Sequence, residues 1–518
     1  MTWSSLSAGA DDFGWTRRAA LRRVGGGAAA LVLAGLGGCN MVANGTGLGS
    51  RRERRRLAVP PLYRGEERAG ERVYELSLQK GLTSFVDGLS TSTIGINQSF
   101  LGPTLEMRRG ERVRMNVRSD LDETATLHWH GFHLPAADDG GPHQPIAPGE
   151  IWSPSFEVRQ RASLFWYHSH THRRAGPQVY AGLAAPIYVR DEEEDRLDLP
   201  ADYGIDDIPL MLQDRAFADD GRLIYSNRMH SRMMGMQGDT LLVNGTSDPV
   251  FEAKTDLLRL RLLNGSNARF YSLAFADGRS FQLIASDGGL LERPYRTASA
   301  VLAPGERTQI LVDLSGGQPA ALRATSVGNM GMMNGGMMGG MMRRSARAEA
   351  PESTGEVFPV LSILPAAARR TAAALPTILT SLPPTDKSLA VRQRRFVLDM
   401  SMGMMGSFTI NGQSMDMQRI DERVPVNQWE IWHVENASMM AHPFHIHNVQ
   451  FRVLDRNGQA PSPQEQGLKD TVIVNPGERV SLFLRFEAYT DPDRPYMYHC
   501  HILEHEDAGM MGQFVVTA

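Results

Sequence analysis

The chain has 518 residues, of which 42% are hydrophobic and 22% charged, with a formal net charge of −4. That length accommodates two to four domains with separate cores. The near-neutral balance gives no footprint for nucleic acid, and two cysteines exclude a disulfide-built scaffold.

The N-terminus reads Thr16-Arg17-Arg18-Ala19-Ala20-Leu21-Arg22-Arg23, followed by an apolar, glycine-rich run from Gly25 to Gly38. Paired arginines before a short, weakly apolar segment form an export signal of the twin-arginine kind. The run is too short to span a membrane. Cys39 closes it in Leu36-Gly37-Gly38-Cys39, so it is either a lipid-anchor site or is discarded with the signal. Residues 1–59 are therefore read as export signal and basic linker. An extracytoplasmic, periplasmic location and a monomer are expected. Cys500 is then the one cysteine of the folded part, and a lone thiol in an oxidising compartment calls for a metal to hold it.

A pattern recurs three times downstream. Alternating apolar and polar residues occupy Arg112–Val117, Leu257–Asn264 and Trp429–Asn436, the signature of strands. After each comes a Pro-Gly-Glu turn, at 148–150, 304–306 and 476–478, leading into another alternating segment. Helical periodicity is scarce. The pattern predicts an all-β chain of three Greek-key sandwich domains, at 60–195, 205–345 and 390–518.

Histidine is concentrated in two of the three. The first domain carries His128-Trp129-His130 and His168-Ser169-His170; the third carries His445-Ile446-His447 and His499-Cys500-His501. On a strand, residues i and i+2 share a face, so each pair delivers two imidazoles to one side. Cys500 then faces away from His499 and His501. With His442, His505 and Met510 it completes the two-His, thiolate and weak thioether set of a blue copper site. Eight imidazoles can hold three more coppers between the terminal domains. Four one-electron centres match the four electrons that reduce dioxygen to water.

The segments His-Trp-His-Gly, His-Ser-His, His-Pro-Phe-His-Ile-His and His-Cys-His-Ile-Leu-Glu-His-Glu-Asp-Ala-Gly-Met-Met resemble the four signature segments of the multicopper oxidases. The resemblance implies three cupredoxin-like domains and four copper ions. It assigns the type 2 copper to His128 and His445, and the type 3 pair to His130, His168, His170, His447, His499 and His501. The type 1 copper falls to His442, Cys500, His505 and Met510. It also implies that Asp139 and Glu506 supply the protons that dioxygen reduction consumes. His133, His143, His172, His230 and His433 are left as surface or supporting residues, although His172 would share a strand face with the ligands.

The substrate is read from methionine. There are 27, many in glycine-rich runs outside any apolar periodicity: 330–342, 229–236 and 400–405. Thioethers are soft and select Cu(I). Met439 and Met440, just before His442, are placed to load Cu(I) and remove its electron. This is similar to the bacterial copper-efflux oxidases, which oxidise Cu(I). Two features depart from them: Ser438 stands where an acid is usual, and the longest methionine run lies in the second domain. The alternatives are a laccase-like oxidase of phenols and aromatic amines, and a periplasmic copper buffer without turnover.

Overall fold

A computed structural model describes residues 55–226, 228–328, 353–401 and 406–518, with the side chains of 353 and 354 left aside. The export signal, Cys39, the Met-Gly run 330–342 and residues 402–405 lie outside the described residues.

Each repeat builds the same nucleus. Glu71–Thr83 pairs in parallel with Arg112–Ser119, Asp207–Arg215 with Leu257–Asn264, and Ala390–Ser401 with Trp429–Asn436. The second strand of each pair then runs antiparallel to the strands that follow its Pro-Gly-Glu turn: Ile151–Trp152 and Ser155–Glu157, Arg307–Asp313 or Arg479–Leu484. The turns need a positive φ, which glycine supplies at Gly149, Gly305 and Gly477. Asn244-Gly245 and Asn411-Gly412, all with positive φ, close hairpins of the second and third repeats.

Among the described residues the strands form six sheets, two for each repeat. Three buried clusters fill the sandwiches: one around Trp129, Phe156 and Phe165, one around Leu260, Tyr271 and Ile310, one around Phe396, Trp432 and Phe444. The expected all-β architecture with three cupredoxin-like sandwiches stands. No described helix is long and apolar enough to cross a membrane.

Two of the sheets carry the histidine pairs. In the first repeat, His128–His130 lies beside Ser163–His168, with His128 opposite His168 and Trp166 opposite His130. In the third, His442–Ile446 lies beside Asp491–Cys500, with His445 opposite His499 and Phe444 opposite Cys500. These pairings place four histidines on two facing rows and turn Cys500 into the third core.

Candidate metal centre

The two rows meet. His170, His447 and His499 form one group of potential ligand atoms, His130, His168 and His501 a second, and His128, His130 and His445 a third. Each group draws on both the first and the third repeat. His499 and His501 flank Cys500 yet enter different groups. Cys500 joins His442 and His505 on the other side of the strand. All twelve predicted ligands, Met510 included, are buried.

The hydrogen bonds of the rings decide which nitrogens face inward. His170 Nε2 and His447 Nε2 lie 3.2 Å and 3.3 Å from His499 Nε2. Their Nδ1 atoms point outward: His447 to Asp139 Oδ2 at 2.7 Å, His499 to the Cys500 carbonyl at 3.0 Å, His170 toward Glu506 Oε1 at 3.2 Å. His128 Nδ1 donates to the Asp139 carbonyl, His168 Nδ1 to the Ser169 carbonyl and His445 Nδ1 to the Asp470 carbonyl. His130 is turned the other way. Its Nδ1 lies 3.4 Å from His168 Nε2, and its Nε2 lies 3.1 Å from Asp470 Oδ1.

The arrangement fits copper. Burial pushes His130, His168, His170, His445, His447 and His501 well below the usual imidazole range, and His499 to about 3. These are neutral rings with lone pairs converging. His128 Nε2, His445 Nε2 and both nitrogens of His501 are buried without a hydrogen-bond partner. Buried polar atoms are rarely left so, and bound copper satisfies the lone-pair nitrogen of each of these rings, one nitrogen in the case of His501. Burial likewise raises the Cys500 thiol, so its thiolate needs an adjacent cation.

Around Cys500, His442 Nδ1 lies 3.4 Å and His505 Nδ1 3.7 Å from the sulfur. Met510 is fully buried, and its carbonyl accepts the Cys500 N–H. The outer edge of each imidazole is covered. His442 Nε2 meets Ser438 Oγ at 2.7 Å, and His505 Nε2 meets the Met233 carbonyl at 3.0 Å. Met233 belongs to the helix Met229–Met234 of the second repeat, and Met233, Met234 and Met400 pack against the core that holds Cys500. Glu504, beside His505, anchors this segment: it accepts from Tyr225 Oη, the Met236 N–H and Asn267 Nδ2 at 2.8–2.9 Å. Met440 is buried and its carbonyl is taken by Asn436, whereas Met439 is 46% exposed. Of the two, Met439 is the one open to solvent.

Asp139 contacts two predicted ligands, His447 and His128. Glu506 spans His170 and His499, its Oε2 3.3 Å from His499 Nδ1, and burial raises its carboxyl well above the usual range. Neither is the surface acid that sequence alone allows.

The strand condition that would have set His172 beside the ligands is not met. His172 does not share a strand face with the ligands, because the strand ends at His168 and the chain turns through Arg173 at φ +60°. Of the other four, His143 bonds Gln513, His433 lies between Ser481 and Gln393, His230 is exposed and His133 is half-buried. Sequence reasoning missed Asp470, Arg307, Glu504 and Tyr225, and it named Met233 only within the 229–236 run, without its contact to His505. Arg307 follows a Pro-Gly-Glu turn, but so does the exposed Arg479, so the motif alone gives no signal.

Sequence profiles described as multicopper oxidase match residues 77–194, 207–337 and 389–518. The chain is 36% identical over 452 residues to "Multicopper oxidase mco" of Staphylococcus aureus, covering 86% of this chain and 89% of that one. It is also 36% identical over 467 residues to "Cell division protein FtsP" of Photorhabdus laumondii, covering 90% and 93%. Among solved structures it resembles a "laccase-like multi-copper oxidase CueO" from Ochrobactrum sp., described as having oxidase activity towards lignin model compounds and lignosulfonate. That match has a TM-score of 0.80 and 35% identity, covering 89% of this chain and 100% of that one.

Proposed function

This chain belongs to the multicopper oxidase family, and from that premise we propose that it takes single electrons from Cu(I) and delivers four of them to dioxygen, forming water. His128 and His445 hold the type 2 copper. His130, His168, His170, His447, His499 and His501 hold the type 3 pair, and His442, Cys500, His505 and Met510 the type 1 copper. Copper bound there supplies one-electron transfer at the cysteine and dioxygen reduction at the histidine cluster.

The chain's own part is connection, orientation and protons. Cys500 is bonded directly to His499 and His501, so one strand joins the entry site to both groups of the cluster. Asp139 and Glu506, each in contact with two ligand imidazoles, orient those rings and pass protons inward. In this proposal export follows the twin-arginine route and puts the work outside the cytoplasm.

The observation that carries the choice of Cu(I) is the Met233 carbonyl on His505 Nε2. An aromatic reductant needs a bare imidazole edge to stack or bond against. Here that edge is capped by a methionine-bearing helix, with Met439 exposed near His442. A small, soft cation reaches thioethers where a ring cannot reach the imidazole. Oxygen uptake with Cu(I), compared with a phenol at matched concentration, tests this: the reading requires the higher kcat/KM with Cu(I).

Two other readings have some support. The oxidase activity of the Ochrobactrum protein towards lignin model compounds and lignosulfonate favours an organic reductant. The likeness to a protein named for cell division favours a role in that process instead of an oxidase. The complete and buried set of eleven imidazole and thiolate ligands, with Met510, supports the oxidase over the second.

A further inference from the structure

Seven of the eight cluster histidines need no special device. Six have Nδ1 directed at a carbonyl or carboxylate, which leaves Nε2 for the cluster. His501 has both nitrogens free. His130 is the exception, with Nδ1 inward and Nε2 on Asp470. We infer that Asp470, locked in place by Arg307 of the second repeat, is the positioning residue that turns the His130 ring and fixes its tautomer. This rests on the copper reading of the cluster and assigns the second repeat, which supplies none of the twelve predicted ligands, a part in building it.

The lock is tight. Arg307 and Asp470 are both fully buried, and the guanidinium fork meets the carboxylate bidentately, Nη1 to Oδ1 and Nη2 to Oδ2, each at 2.6 Å. The remaining three N–H groups of Arg307 reach the carbonyls of Leu164, Gly305 and Asp287. All five donors are therefore used, and the fork has no second position. Asp470 Oδ1 also accepts from Thr471 Oγ1 at 3.0 Å and faces His130 Nε2 at 3.1 Å. A carboxylate held this way only accepts, so the imidazole must present N–H at Nε2 and its lone pair at Nδ1. The same residue's carbonyl takes His445 Nδ1–H. One residue thus orients a ligand from each terminal repeat, in opposite senses.

Gly131 makes room for the pair. It has φ +86°, and a Cβ there would come within 2.6 Å of Asp470 Oδ2 and 3.1 Å of Arg307 Nη2. The glycine that follows the first histidine pair is therefore needed for the acid beneath the ring, besides its turn. Neighbouring charge is satisfied as well: Lys469 lies 2.9 Å from Asp287 and 3.1 Å from Glu306, both buried.

The test uses the copper-loaded full chain, an Asp470→Asn variant and an Arg307→Met/Asp470→Leu double variant. The double variant removes both charges together, which buried pairs tolerate far better than loss of one partner. Copper per chain, the blue absorption of the Cys500 site and the EPR-silent fraction of copper are read before and after a chelator challenge. Both variants should keep the blue absorption, because Asp470 does not touch that site, while cluster copper is retained roughly 10- to 100-fold less tightly. Cluster copper retained by the double variant as in the parent would overturn the inference, since the pair would then be structural only. A crystal structure of the copper-loaded parent needs no variant to fold: copper on His130 Nδ1 is expected, and copper on Nε2 would overturn it. A parent chain that takes up no cluster copper would instead bring down the oxidase reading itself.

Discussion

The cap over His505 can be loosened by one oxygen atom. Tyr225 donates to Glu504 Oε1 at 2.9 Å, and its ring packs on Tyr180 with centroids 5.3 Å apart. Tyr225→Phe keeps the ring and removes the hydroxyl. A hydrogen bond to a carboxylate is worth about 1.5–3 kcal/mol, so about 2 kcal/mol is lost from the two contacts, Tyr225 Oη and the Met236 N–H, that hold the segment to Glu504. At about 1.4 kcal/mol per tenfold, opening of the Met229–Met234 helix becomes roughly 30-fold more frequent. While the open form is a minor species, the rate with a reductant that needs it rises by the same factor. Phenol kcat/KM should therefore rise by about tenfold or more, and KM for Cu(I) should rise as the thioethers lose their positions. Steady-state oxygen uptake with each reductant measures both. An unchanged phenol rate, or equal changes with both reductants, would refute the cap as the determinant of specificity.

Cys500→Ser should abolish the blue thiolate-to-copper absorption and turnover, whereas Met510→Leu should keep the copper and raise its reduction potential, read by redox titration. Asp139→Asn and Glu506→Gln should each lower kcat by about 10²–10⁴-fold with copper content near the parent's, if proton delivery is their part; elemental analysis beside turnover separates this from ligand loss. His133 is neither ligand nor proton donor, yet burial lowers it to about 4 from 6.5. The unfolded chain therefore takes up that proton first, and stability falls as pH drops from about 6.5 to 4, by at most about 3 kcal/mol. His133→Gln should flatten the acid side of a Tm-against-pH profile relative to the parent; an identical slope would contradict the burial argument.

The parts of this protein that depend on local periodicity were readable from its sequence. Two-residue spacing pointed to the four histidine pairs, although only His128 and His130 share a strand while His170, His447 and His501 lie just past the ends of theirs; the opposite orientation of Cys500 to His499 follows from the alternation. The three Pro-Gly-Glu turns announced the repeated nucleus. What could not be read depends on residues brought together across long separations. Arg307 and Asp470 are 163 positions apart, and Met233 lies 272 positions from His505. The reversed His130 ring has no local signal, because a histidine's tautomer is set by its partner and not by its neighbours in the chain. His172, to which the resemblance assigns no copper, lies off the ligand face because the strand ends at His168, four residues before it: Ser169, Thr171 and Gln178 bond one another and draw the chain off the sheet.

The most direct test is the stoichiometry of the reaction. The copper-loaded chain is supplied with Cu(I) as sole reductant under limiting dioxygen, and Cu(II) formed, oxygen consumed and peroxide released are measured together. The account predicts four Cu(I) oxidised for each dioxygen, with no peroxide, and loss of the reaction in Cys500→Ser. Full copper occupancy without oxygen uptake from Cu(I) would contradict it.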